Sequence, residues 1–303
     1  MDYTEFAVWA PVDLAETVAW HVQEWGGQGV VVSELPAEGP QPSEVAVKLY
    51  RPGTPEDAAA FVAELEGRLA AVQAHFPGTA LRVTTRLVPS EDWEHSWKRY
   101  WHALEIGERL VIKPSWEAWT GDPDKLVIAL DPAQAFGTGT HPTTQLCLRA
   151  LEDAVPNYDA PRVLDVGTGS GILAIAAAML GARHVDACDT DPVAVEATIE
   201  NATRNGVAGQ IAVTVGAIDV LEGQAEVVVA NILAEVIAPI APELAARTKP
   251  GGMVIASGII RARQAMVEEA FEAAGLVVLR IEHQGEWVLV EARKPDMALT
   301  ARA

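Results

Sequence analysis

Two hydrophobic rhythms divide this chain. Over residues 1–88, short alternating runs are interleaved with two amphipathic stretches. TEFAVWA alternates with the period of two that lays one strand face on a core. Asp13-Leu-Ala-Glu16 has the form of a capping box, and the helix it opens is predicted to end at Gly26-Gly27. GVVVSE and EVAVKLY read as strands separated by a turn carrying Pro36, Pro40 and Pro42. Thr54-Pro55-Glu56-Asp57 then supplies an N-cap, a proline at the first helical position and acid in the first turn. That second helix is predicted to reach about Phe76, and LRVTTRLV is the closing strand. The order βαββαβ predicts a small α+β domain of the ferredoxin-like type over residues 1–88.

Pro89-Ser90-Glu91-Asp92 is predicted to start a linker helix over residues 89–105. Trp93, Trp97 and Trp101 stand at i, i+4 and i+8, so they share one stripe suited to packing against a neighbouring domain. RLVIKP and KLVIAL read as two short strands with an exposed loop, Thr120–Asp124, between them. From residue 141 the rhythm changes. RVLDV, HVDACD, IAVTV, EVVVA and GMVIAS are short apolar runs separated by helical patterns near 192–205, 234–247 and 262–274. This alternation predicts parallel strands joined by helical crossovers. LVVLRIEH and WVLVEAR, joined at Gln284-Gly285-Glu286, pair instead as an antiparallel hairpin. Residues 106–303 are therefore expected to form a Rossmann-like α/β domain with a mostly parallel seven-stranded sheet and an antiparallel last strand.

The chemistry concentrates at the ends of three predicted strands. Val163-Leu-Asp165-Val-Gly167-Thr-Gly169-Ser-Gly171 ends a buried strand in a carboxylate and feeds a helix through a glycine-rich turn. Glycines there permit the turn and a close ligand approach, at the sheet edge where doubly wound folds bind. The spacing G-x-G-x-G differs from the G-x-G-x-x-G of nicotinamide and flavin sites. Asp165 before the turn suits the cationic amino group of S-adenosylmethionine better than a pyrophosphate. Asp189 ends the next strand and is placed to accept hydrogen bonds from ribose hydroxyls, while Asp191-Pro192 reads as a helix cap. Asn231 ends the fourth strand and brings an acceptor oxygen and two donor hydrogens to the crevice. The stretch from Leu130 to Thr144, with Phe136 and His141, has the composition of a loop folding over a ligand.

Composition narrows the class of partner. The net charge of −20 repels a phosphate backbone, and it either suits a basic partner or serves solubility alone. Residues 1–88 hold twelve acids against five bases and lack the signature of an RNA-recognition module, so direct nucleic-acid binding is not expected and the domain is read as protein-facing. Cys147 and Cys188 each lie in an apolar run and offer no metal-ligand spacing, so no metal is expected. No apolar stretch approaches the roughly 18 residues that span a bilayer. The N-terminus carries acid where a signal peptide carries Lys or Arg. A cytoplasmic monomer with no membrane partner is expected.

AFGTGTHPTT, DVGTGSGILAIAA, DTDPVAVEATIENATRNGV, VVVANIL, KPGGMVIASGI and the late GEW, in that order, resemble the bacterial ribosomal protein L11 methyltransferase family. The resemblance covers about residues 90–290. It implies a class I methyltransferase that moves methyl groups from S-adenosylmethionine to the N-terminal α-amine and lysine side chains of a basic ribosomal protein. It also implies cofactor contacts at Thr144, Gly167, Asp189 and Asn231, and a substrate-recognition role for the N-terminal domain. Asp165 and Gly169 join the expected cofactor site. Asn231 and Phe136 are the expected catalytic pair, Asn231 orienting the amine and Phe136 lining the transfer channel. Methyltransferases acting on nucleobases or glutamine usually carry Asn/Asp-Pro-Pro-aromatic, whereas Ile232-Leu233-Ala234 follows Asn231 here. The alternative is a methyltransferase of RNA or a small molecule. Two departures from the family pattern stand out: Ala133-Gln134 after Asp-Pro, where Gly is usual, and Thr168, where Cys is common.

Overall fold

A computed structural model describes residues 3–11, 14–24, 28–32, 44–52, 58–73, 79–88, 102–131 and 139–296. The chain forms two compact units, Met1–Trp101 and His102–Ala303. In the first, β1 (Tyr3–Pro11), α1 (Ala15–Glu24), β2 (Gln28–Val32), β3 (Glu44–Pro52), α2 (Ala59–Gln73) and β4 (Arg82–Val88) follow the predicted order. They build an antiparallel sheet of order β2-β3-β1-β4. Alternate positions Phe6, Val8 and Ala10 of β1 meet Val18 of α1 and Leu65 and Leu69 of α2 in one core. Glu5, on the other face of β1, is nearly buried and is neutralised across the sheet. The Tyr50 hydroxyl donates to it at 2.9 Å and the Arg86 guanidinium at 3.1 Å, both from residues directly opposite on β3 and β4. Pairing of this kind is what a desolvated acid requires. The capping residues Asp13 and Thr54–Asp57, and the stripe Trp93, Trp97 and Trp101, lie outside the described residues.

The second unit opens with a small sheet of β5 (Leu104–Ile106), β6 (Leu110–Lys113) and β7 (Leu126–Ala129). Residues 104–105, predicted as the end of the linker helix, are strand instead. Leu104 pairs with Ile112 in an antiparallel ladder that buries Ile106, so a cross-strand partner overrides the local helical pattern. The loop 120–124 is exposed, as its composition predicted.

Next come α3 (Pro142–Ala154), β8 (Arg162–Val166), α4 (Ile172–Met179), β9 (His184–Asp189), α5 (Pro192–Arg204), β10 (Ile211–Val215) and β11 (Ala225–Asn231). After them come α6 (Ala234–Ile237), α7 (Ala241–Arg247), β12 (Thr248–Ile260), α8 (Gln264–Ala273), β13 (Val277–Gln284) and β14 (Trp287–Arg293). The single helix predicted over 234–247 is two, because Pro239 offers no N–H to continue α6 and Pro242 sits in the first turn of α7. The seven strands run β10-β9-β8-β11-β12-β14-β13, and only β14 is antiparallel to its neighbours. Buried on both faces, Val227 to Ala230 of β11 and Val254 to Ala256 of β12 read as continuous apolar runs, as central parallel strands do. The order reverses between β8 and β11. A crevice therefore opens at their C-terminal ends, the place where doubly wound sheets bind ligands.

Candidate active site

Topology puts Asp165 and Asn231 on adjacent strands at that reversal. Val229 stands opposite Asp165 in the parallel ladder, so Asn231 reaches just past the carboxylate. The chain then leaves β8 through Gly167, Thr168, Gly169, Ser170 and Gly171. The three glycines have φ of 74°, 57° and 81°, in the left-handed region that a side chain rarely tolerates. Helix α5 holds this turn from behind: the Thr198 hydroxyl donates to the Gly169 carbonyl at 3.0 Å and the Asn201 amide to the Ser170 carbonyl at 2.9 Å.

Asp165 is fully buried beneath the turn. Its Oδ2 accepts the Thr168 hydroxyl at 2.7 Å, and Oδ1 has no hydrogen-bond partner among the described residues. Burial pushes its carboxyl up from 3.8 to about 7, against the opposing pull of the Thr168 bond. The Thr168 departure therefore has a local function, since a thiol would be a weaker donor to this acid. Asp189, at the end of β9, accepts the Gly169 N–H on Oδ2 at 2.9 Å and the Asp191 N–H on Oδ1 at 3.0 Å. That double clamp fixes the carboxylate beside the turn. Asp191 itself is the cap of α5: its Oδ1 accepts from the Val193 N–H at 2.9 Å, and Pro192 follows.

Asn231 lies opposite α3, where its Nδ2 donates to the Thr144 hydroxyl at 3.3 Å. The amide oxygen is buried and has no partner among the described residues. His141 caps the same helix, its Nδ1 accepting from the Thr143 N–H at 3.3 Å. The ring packs edge-on against Trp287 of β14 at a centroid distance of 4.7 Å. Burial drives the imidazole down from 6.5 to about 4, so it serves as a neutral acceptor. Both thiols, Cys147 and Cys188, are buried and pushed up by desolvation.

The protein family model described as "Ribosomal protein L11 methyltransferase (PrmA)" matches residues 2–295. The chain belongs to this family. A relative from Pelotomaculum thermopropionicum, named ribosomal protein L11 methyltransferase, is 44% identical across 97% of this chain and 99% of its own. One from Symbiobacterium thermophilum, of the same name, is 51% identical across 69% of this chain and 68% of its own. The solved structure of a ribosomal protein L11 methylase from Lactobacillus delbrueckii subsp. bulgaricus aligns with a TM-score of 0.60 at 34% identity. It covers 65% of this chain and 99% of that one.

Of the residues singled out from sequence, Asp165, Gly167, Gly169 and Asp189 converge where β8 and β9 end, and Thr144 and Asn231 meet through one hydrogen bond. Phe136 and Ala133 lie outside the described residues. Sequence reasoning passed over Ile232. Its side chain fills the space a Cβ on Gly167 would take, 2.3 Å from that position, and its carbonyl lies 2.2 Å from where a Cβ on Gly258 would stand. The signal was available in the two glycines, but only the fold shows that they face one residue. Among the described residues no group of His, Cys, Asp and Glu is arranged to hold a metal, and no helix is long and apolar enough to cross a membrane.

Proposed function

We propose that this chain methylates amino groups, the N-terminal α-amine and lysine ε-amines, of ribosomal protein L11. It is an S-adenosylmethionine-dependent methyltransferase of the L11 methyltransferase family. The residues present fit that methyl donor: Asp165 leaves a buried oxygen in want of a donor, and Asp189 is held rigidly beside a turn whose glycines leave room for a ligand. Bound there, S-adenosylmethionine supplies an electrophilic methyl group on a sulfonium. In this reading Asp165 meets the cationic amino group, Asp189 the ribose hydroxyls, Gly167 and Gly169 the close approach, and Thr144 the edge of the pocket next to Asn231.

One observation carries the amine reading. The Asn231 amide donates to Thr144, its buried oxygen has no partner among the described residues, and in this reading that oxygen faces the methyl donor. Such an atom is costly unless filled, and an N–H of the incoming amine fills it. A lysine at its reference pKa of about 10.4 arrives protonated. Desolvation in the crevice, together with a nearby positive charge, favours its neutral form. Asn231 then holds that nitrogen with its lone pair free, and positioning carries much of the rate. The 1–88 domain presents the basic substrate to the catalytic unit, His102–Ala303, in this reading, with Phe136 lining the transfer channel. All the groups required lie in one chain, so a monomer suffices, acting in the cytoplasm where ribosomal proteins are made. The net charge of −20 favours a basic protein over nucleic acid.

The test is transfer of labelled methyl from S-adenosylmethionine to purified L11. Asn231→Ala is expected to leave donor binding measurable by calorimetry while transfer falls by about a hundredfold or more. Unchanged turnover removes Asn231 from the mechanism, and label entering ribosomal RNA instead of L11 overturns the substrate assignment.

A further inference from the structure

Asn231 is the last β11 residue paired with β12, opposite Ser257. Directly after that pair β12 departs from its ladder with β14. Ala256 pairs with Val290 and Ile259 with Val288, so two residues of β12, Ser257 and Gly258, face one of β14. That is a β-bulge, a device that bends a strand and redirects what lies next to it. The bulge is stabilised from within: the buried Ser257 hydroxyl donates to the Val288 carbonyl at 2.9 Å. Its other side is turned to the active strand. The Ser257 carbonyl accepts the Ile232 N–H at 3.2 Å. Gly258 has φ +83°, and a Cβ built on it would stand 2.2 Å from the Ile232 oxygen, 2.7 Å from its carbonyl carbon and 3.0 Å from its nitrogen. These are backbone atoms, which cannot rotate away as a side chain can.

We infer that the Ser257–Gly258 bulge is a positioning element for methyl transfer, setting the exit path of the Asn231–Ile232 peptide and hence the place of the Asn231 amide. This rests on the role given above to Asn231. The bulge grips the residue next to Asn231 by one hydrogen bond and one close contact, and the same Ile232 packs its side chain against Gly167 of the donor turn. The nitrogen-holding strand end and the donor-holding turn are therefore wedged apart by one residue whose backbone rests on Gly258. Adding a methyl at Gly258 forces the Ile232 carbonyl from 2.2 Å out to the 3.4 Å of ordinary contact, a displacement on the scale of an ångström. At a methyl-transfer centre a displacement of about 1 Å costs on the order of a hundredfold in rate.

The experiment compares Gly258→Ala with Gly275→Ala. Gly275 has a nearly equal φ of +80° and nothing within 4 Å of its Cβ position, so it carries the backbone strain without the collision. For each, kcat and KM for L11, donor affinity by calorimetry and the side-chain amide resonance of Asn231 in ligand-free protein are measured. Gly258→Ala is expected to lower kcat by about a hundredfold, leave KM and donor affinity within about threefold, and shift the Asn231 amide resonance. Gly275→Ala is expected to keep kcat and the resonance. Equal kcat in the two variants overturns the inference, as does a loss in Gly258→Ala confined to KM. Should Gly258→Ala not fold, Ser257→Ala replaces it: a drop in kcat at constant KM with a shifted amide resonance supports the bulge, and unchanged kcat overturns it. If Asn231→Ala turns over normally, the reading of Asn231 fails; if Asn231→Ala is inactive while Gly258→Ala matches Gly275→Ala, only the bulge fails.

Discussion

Replacing Asp165 by Asn tests the electrostatics on which donor binding rests. In the folded protein the carboxyl is fully buried and raised from 3.8 to about 7, chiefly by desolvation. A shift of this size corresponds to about 4 kcal/mol between the two protonation states. The sign follows from proton uptake. Between pH 4 and 7 the folded state holds the proton and the unfolded state has lost it, so stability falls as pH rises through that window and the full penalty is present above it. Asn cannot ionise. Asp165→Asn should therefore gain on wild type by up to about 4 kcal/mol as pH goes from 4 to 8. Any pH-independent cost of its unmatched amide hydrogens shifts the whole curve without changing its slope. Urea denaturation of both proteins without donor, at pH 4.5, 6 and 8, gives the difference directly. A wild-type-minus-variant difference that is flat across these values refutes the desolvated-carboxylate argument. The same acid links donor binding to pH. If its free oxygen meets the donor's ammonium, the ionised form is the binding form, so affinity should weaken as pH drops below about 7, by up to tenfold per unit. Binding at pH 6 should then release a proton, detectable as a calorimetric heat that varies with the buffer's ionisation enthalpy.

Asp189→Ala removes the acceptor of both the Gly169 and Asp191 N–H groups, and should weaken donor binding by at least about tenfold, read by calorimetry, with loss of a charge-assisted pair of bonds as the cause. His141, neutral and lowered to about 4, contributes in the opposite sense to Asp165: the unfolded chain takes up its proton below about pH 6.5, so stability is lost as pH falls from there to 4. The stability of His141→Gln relative to wild type, from urea denaturation at the same pH values, should accordingly rise as pH falls from 6.5 to 4, and a flat difference would show that the ring is not desolvated.

Much of this protein is written in local pattern. The period-two runs, the Gly167-Thr-Gly169-Ser-Gly171 turn and the Asp191-Pro192 cap act over a few residues, so sequence determines them: strand positions in the catalytic domain fall within a residue or two of expectation at β8, β9 and β10. Asp165, Asp189 and Asn231 could be named because strand ends in an alternating α/β chain share one edge of the sheet. Tertiary structure decided what depends on partners distant in sequence. Residues 104–105 became strand because β6 was there to pair with them, and 234–247 broke where Pro239 interrupted the helical ladder. The bond from Asn231 to Thr144 spans 87 positions, and the wedge of Ile232 between Gly167 and Gly258 joins three separate motifs. No window of sequence contains such contacts. They exist because closing the sheet brings those chain segments within van der Waals distance, and there a missing Cβ or an unmet oxygen acquires a meaning it lacks along the chain.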